Sequence, residues 1–320
     1  MKVKYMESRK SLGEKKQRKF TAQAIKKDMK KNYSIYLLLL PVLVYYILFN
    51  YAPMYGAIIA FKRYSPAMGI MGSEWVGWHY FKQFLTSPYF ARVMKNTIIL
   101  SVYSVIYCFP TPIILALMLN EVRKSWFKRS VQTLSYLPHF ISTVILCGLI
   151  RNFVASDGLI MQVAQIFGVE SKNLLMHKEY FRSIFIISEI WQGIGWDSII
   201  YLAALAGVDH ELYDAAIVDG AGRWKQTLHI TIPGIMPTII VLFILRLGGL
   251  LGVNGEKVIL LYNDLIMDTA DVIGSFTYRK GLLEQNYSYS AAVGLFMSVI
   301  NFIFITVANK ASKKAGYNLW

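Results

Sequence analysis

Hydrophobic positions in this chain do not alternate with polar ones; they gather into long runs at residues 33–49, 96–119, 131–154, 181–206, 238–253 and 291–308. Each run is near the ~20 residues that a helix needs to cross the hydrocarbon of a bilayer. Lipid offers no hydrogen-bond partner to an open backbone, so a helix is the form such runs take. The pattern predicts an all-α integral membrane protein with about six transmembrane helices. Proline interrupts several runs: Pro41 the first, Pro110 and Pro112 the second, Pro138 the third. Pro110 and Pro112 are expected to break the second, because proline lacks the N–H that the ladder uses. Residues 50–92 form a mixed loop carrying Tyr51, Tyr55, Trp75, Trp78 and Tyr80, the aromatic population of a membrane interface. Residues 155–180 are a polar loop. Residues 254–290 are a longer loop, apolar at 258–262, which is expected to re-enter the membrane or pack on it.

The polar stretch at 207–237, between two apolar runs, has its own local grammar. Asp209 suits a helix N-cap, where its carboxylate accepts from first-turn N–H groups. Leu212, Ala215, Ala216 and Asp219 then share one helix face. Gly220 and Gly222 suit the left-handed backbone that ends a helix. A second short helix is expected at 223–232, stopped by Pro233. The result is a compact knob of two short helices, suited to docking in a cleft on another protein.

Charge sets the orientation. The formal net charge is +15, while charged residues make up only 17% and hydrophobic residues 55%, with mean hydropathy +0.40. That balance belongs to a membrane protein. Much of the excess lies in the first 32 residues, a basic cytoplasmic tail expected on an anionic lipid surface. No recognition fold accompanies it, so no nucleic-acid partner is expected. The long basic stretch before the first run, with no cleavage site after it, predicts an uncleaved span rather than a signal peptide. The tail, Arg123 to Arg129, Arg223 with Lys225, and Lys310 to Lys314 all fall on one side. Positive-inside makes that side the cytosol, with both termini inside. The expected division is a tail at 1–32, a transmembrane domain at 33–309 and a cytoplasmic end at 310–320. The outward loops, which include Arg92, Lys257, Asp271 and Arg279, are nearly balanced in charge. Cys108 and Cys147 lie within apolar runs and are expected to be buried thiols.

Asp214-Ala215-Ala216-x-x-Asp219-Gly220-Ala221, followed by Ile230-Thr231-Ile232-Pro233 and Pro237, resembles the EAA loop of permeases of binding-protein-dependent ABC importers. Asp214 stands where the family has Glu, Ile232 where it has Leu, and Thr227 and Leu228 where an aromatic residue is usual. Pro53-Met54-Tyr55-Gly56, Leu261-Tyr262-Asn263, Thr269-Ala270-Asp271-Val272-Ile273 and Ser290-Ala291-Ala292 are similar to the branch serving oligosaccharides and polysaccharides. The resemblance runs from about residue 33 to the end of the chain. It implies a type I importer permease in the bacterial cytoplasmic (inner) membrane. It also implies a second homologous permease, two ATPase subunits and an extracytoplasmic solute-binding protein as partners. Tyr213, Asp214, Ala215, Ala216, Asp219, Gly220, Ala221 and Pro233 would then form the ATPase-coupling surface.

No phosphate-binding GxxxxGK[ST] loop occurs, so ATP and Mg are expected on the partner subunits, with no cofactor in this chain. No HExxH, CxxC or GxSxG occurs either, and the five histidines have no ligand spacing. The pathway candidates are polar groups within apolar runs, since such groups are costly in lipid and face cavities. Glu189, Gln192, Gly193 and Trp196 share one face of the fourth span and offer a sugar ring hydrogen bonds and a stacking plate. Glu189 bonding a neighbouring helix is the structural alternative. Arg246, in the fifth span, meets an acidic cargo or pairs with an internal carboxylate. A secondary transporter or channel would also have about six spans, but it leaves the knob without a purpose. A membrane-embedded enzyme would need a nucleophile or metal set, and none accompanies Glu189 and Asp197.

Overall fold

The computed structural model describes residues 28–314. Most of the expected basic tail therefore lies outside the described residues, as does the chain end beyond residue 314. The chain divides into two units, Met1–Ala57 and Ile58–Trp320. In the first, helix α1 (Tyr33–Tyr46) is apolar around its circumference and continues through a wider turn at Ile47–Tyr51 into Ala52–Met54. An all-round apolar helix of this kind belongs in lipid.

The second unit is helical apart from a short hairpin pairing Lys62–Arg63 with Glu74–Trp75. Four helices among the described residues have the length and apolarity to cross a membrane: Tyr33–Phe61, Phe90–Glu121, Arg223–Gly248 and Tyr287–Lys313. A fifth candidate is the bent pair α2 (Ser125–Tyr136, continued to Phe140) and α3 (Thr143–Phe153), which turn by 104°. The third run is thus two helices meeting at a sharp bend rather than one continuous helix. Leu137–Phe140 tightens into a 3₁₀ turn at Pro138, and Ser142 restarts the helix by accepting from Ile145 N. The remaining long helix, α4 (Lys178–Ala206), has 29 residues, about 43 Å at 1.5 Å per residue. It is long enough to span, but Glu189, Gln192 and Asp197 lower its apolarity.

The other prolines do not break their helices as expected. Ala52 N bonds Ile47 O, Phe109 N bonds Ser104 O, and Ile232 N bonds Thr227 O. In each case the residue immediately before a proline donates five residues back. A turn widened by one residue absorbs the proline ring and the missing donor without ending the helix. Pro233 therefore does not stop the second short helix of the knob. Instead α6 (Arg223–Gln226) runs through the wide turn at Thr227–Thr231 into α7 (Ile232–Gly248).

Residues 254–290 are not a loop. They fold into short helices, including α8 (Gly255–Leu261) and α9 (Ile273–Tyr278). Val258, Leu261, Ile266 and Val272 join Leu100, Leu146, Phe181 and Phe185 in one buried cluster. The segment packs into the interior of the protein. A second cluster joins Phe84, Val93 and Phe276 to Tyr289 and Val293 on the last helix, α10 (Tyr287–Lys314). A third, around Ala116, Tyr201, Leu205 and Ile235, lies beside the knob. Cys147 is buried and Cys108 half-buried, both as free thiols.

Charges assigned to outward loops are also interior. Asp271 has no exposed surface; it accepts from Arg279 Nη2 at 2.8 Å, Arg92 Nη2 at 3.1 Å and Ser275 Oγ at 2.9 Å. Asn96 donates to the Asp268 and Asp271 carbonyls and accepts from Arg182 at 3.0 Å. A buried carboxylate is tolerated because two guanidinium groups and a hydroxyl replace its water. The network ties α4 to α9 and to the start of the Phe90–Glu121 helix.

Candidate functional site

Glu189, Gln192 and Gly193 line a cavity of about 290 Å³ together with Cys108, His139, Asp197, Arg246 and Asn254. Glu189, Arg246 and Asn254 also line a second cavity of about 370 Å³, where Ser101 and Ser104 face them. The polar face of α4 thus meets the arginine of α7 across a hollow, as the cost of polar groups in lipid requires. Among the described residues these cavities gather the polar side chains of three long helices.

The group that organises this wall is Lys257, which sequence reasoning placed outside. It lies in α8, whose start is capped by Asn254 Oδ1 accepting from Lys257 N at 3.1 Å. Its side chain is fully buried, and its Nζ donates to Glu189 Oε1 at 2.7 Å and Gln192 Oε1 at 3.2 Å. The alternative in which Glu189 bonds a neighbouring element is the one the structure shows. The available signal was position: Lys257 immediately precedes the apolar stretch 258–262, and a segment that folds back inside carries its flanking cation with it.

Trp196 departs from the expected set. It shares the helix with Glu189 and Gln192 but does not line these cavities. Its ring stacks on His139 at 4.3 Å between centroids and 2° between planes, with Phe140 edge-on. The bend between α2 and α3 brings His139 there. Arg246 donates to Ser104 Oγ. Asp197 lines the same cavity, yet among the described residues no carboxylate pairs with Arg246 within 4 Å.

The knob forms largely as its sequence indicates. Asp209 Oδ1 accepts from Glu211 N at 3.0 Å and starts α5 (His210–Val218). Gly220 takes φ +74° and ends it. Gly222 is different: at φ −68° and ψ 167° it is extended and begins α6. Tyr213 turns inward, its hydroxyl 2.9 Å from Thr231 Oγ1. Arg223 pairs with Glu121 at 3.6 Å, which anchors the knob to the end of the Phe90–Glu121 helix. Asp214, Ala215 and Asp219 are exposed, while Ala216 and Ala221 are half-buried. Leu212, Ile217, Val218 and Trp224 lie open, the last two at 87% and 82%. A patch of this composition on a polar segment marks a protein contact.

A helical membrane chain with a polar hollow between long helices and an apolar docking knob at one end has the architecture of a transporter subunit. Residues 108–315 match the family described as "Binding-protein-dependent transport system inner membrane component". Protein LplB of Bacillus subtilis (strain 168) is 45% identical over 287 residues, 89% of this chain and 90% of that protein. The polygalacturonan/rhamnogalacturonan transport system permease protein YteP of the same organism is 45% identical over 283 residues, 88% of each chain. A crystal structure of a bacterial ABC transporter involved in the import of the acidic polysaccharide alginate contains a similar chain. The TM-score is 0.84 at 41% identity, covering 91% of this chain and 99% of that one. A second structure, of a bacterial alginate ABC transporter in complex with alginate pentasaccharide-bound periplasmic protein, gives 0.84 at 40% identity over 91% and 98%.

This chain belongs to the binding-protein-dependent transport system inner membrane component family. It is a multi-pass inner-membrane permease of the ABC importer class, which sets aside the secondary-transporter alternative.

Proposed function

We propose that this permease forms half of the import pathway for acidic oligosaccharides, with Arg246 meeting the carboxylates of the cargo. The observation that carries this reading is a cation in the hollow with no carboxylate within 4 Å among the described residues, although Asp197 lines one of the same cavities. Glu189 is already neutralised by Lys257, whereas Arg246 has a hydroxyl partner and no ion-paired carboxylate among the described residues. A guanidinium left in that state favours an anionic guest, since its fork of donors matches a carboxylate. The polygalacturonan/rhamnogalacturonan and alginate transporters among its relatives support the same cargo class.

The partners in this reading are a second homologous permease, two ATPase subunits that hold ATP and Mg, and an extracytoplasmic solute-binding protein. Closure of the ATPases would draw the two knobs together and open the pathway outward. Asp214, Asp219 and the apolar patch around Val218 and Trp224 would lie in the ATPase cleft, with Tyr213 holding the patch against Thr231. The test is ATP-driven uptake by the assembled transporter of a galacturonate tetrasaccharide and its carboxyl-reduced neutral counterpart. Wild type is expected to carry the uronate, and Arg246→Gln to lose at least ten-fold on it with little change on the neutral sugar. Failure of wild type to carry the uronate, or equal loss on both sugars, overturns the assignment.

A further inference from the structure

We propose that Lys257 is a specificity-determining residue that masks the negative charge of the pathway wall, so that acidic cargo can pass Glu189. The inference rests on the acidic-cargo reading and adds to it a residue that never touches the cargo. Glu189 lines both cavities, so its carboxylate faces whatever moves through them. An uncompensated carboxylate there repels a uronate at short range and in low dielectric, where water screens little. Lys257 stands behind it, fully buried, with its ammonium 2.7 Å from Glu189 Oε1. The pair leaves that part of the wall neutral, and in the cavity of about 370 Å³, which Asp197 does not line, Arg246 then sets the sign of the attraction.

Lys257 also orients Gln192. An ammonium only donates, so the amide oxygen of Gln192 must take its bond, at 3.2 Å. The amide NH₂ is thereby turned from Lys257 as a donor, in a residue that lines the cavity. One buried cation thus removes an acceptor's charge and presents a donor, and both changes favour an anion.

Three variants of the assembled transporter test this: Lys257→Met, Glu189→Gln and the double variant. The probes are the galacturonate tetrasaccharide and its carboxyl-reduced counterpart. Masking predicts that Lys257→Met loses at least ten-fold on the uronate and little on the neutral sugar. Glu189→Gln should keep or raise the ratio of uronate to neutral-sugar uptake, since the repelling charge is gone and Lys257 keeps two amide oxygens as acceptors. The double variant, with the wall again neutral, should return to within about three-fold of wild type. A purely structural ion pair predicts instead that both single variants fail on both sugars. That result overturns the masking role while leaving the cargo reading intact, because wild type still carries the uronate. If Lys257→Met does not assemble, the double variant decides: assembly with uronate uptake supports masking, and assembly without it refutes masking. Failure of wild type itself on the uronate removes the cargo reading instead.

Discussion

The knob at 209–232 and the polar wall of α4 are built on opposite terms. The knob is local. Its cap, turn and exposed patch come from residues within about two dozen positions of one another, and its charges point into solvent. The wall is assembled across the sequence: Lys257 reaches Glu189 from 68 residues away, and His139 reaches Trp196 from across a bend. Both surfaces carry charge. The wall answers Glu189 from within through Lys257 but leaves Arg246 with a hydroxyl partner and no ion pair among the described residues. The knob leaves Asp214 and Asp219 exposed, while Arg223 pairs with Glu121. A charge that is fully buried must find its partner within the chain, whereas an exposed one keeps its water.

The sharpest way to break this contrast is at the most deeply internal charge. Asp271→Asn removes the carboxylate that two arginines share, leaving Arg279 without an ion-pair partner and Arg92 with only Asp268 at 3.9 Å. Breaking a buried pair from one side costs ~3–5 kcal/mol, so the detergent-solubilised transporter should melt at distinctly lower temperature. Unchanged melting would mean that the arginines are held by other contacts. A smaller effect is expected at the packing of α4 against α2. A Cβ on Gly195 would lie 2.1 Å from the Ser135 carbonyl oxygen. Gly195→Ala must push the two helices apart, at ~1–3 kcal/mol for overpacking, visible as lower thermal stability and as altered cysteine cross-linking between the helices. Normal stability would show that the helices approach less closely than described. At the knob the comparison predicts no stability change at all. Asp214→Ala touches no internal partner, so melting should stay within about 1 °C, the scale of an ordinary surface change of under ~0.5 kcal/mol. Transport should nevertheless fall several-fold and substrate-stimulated ATP hydrolysis should uncouple. Wild-type uptake in that variant would remove Asp214 from the coupling surface.

How much was legible follows the same division. The apolar runs located the long helices because a span must be apolar over its whole length. Asp209 and Gly220 were legible because capping and left-handed backbone depend on one or two residues. The prolines misled. Pro110 and Pro233 looked like stops, yet a turn widened by one residue carries each helix past, and nothing in the residue types distinguishes a break from that accommodation. Pro138 accompanies a 104° bend, which depends on what packs beside it. On α4, Glu189 and Gln192 line the hollow, while the Trp196 ring stacks on His139.

By itself, the sequence determined that the chain lives in a bilayer, that most of its apolar runs are helices, and that a short polar segment begins with a capped helix ended by Gly220. Those properties rest on hydropathy, caps and turns, interactions that act within a few residues. The tertiary structure alone decided where the outward-loop charges go. Lys257 and Asp271 read as solvent-facing because they flank polar loop residues, yet both are fully buried and paired. A charge can leave water only if a partner replaces it, and partners that arrive from distant parts of the chain exist only once the fold has brought them together.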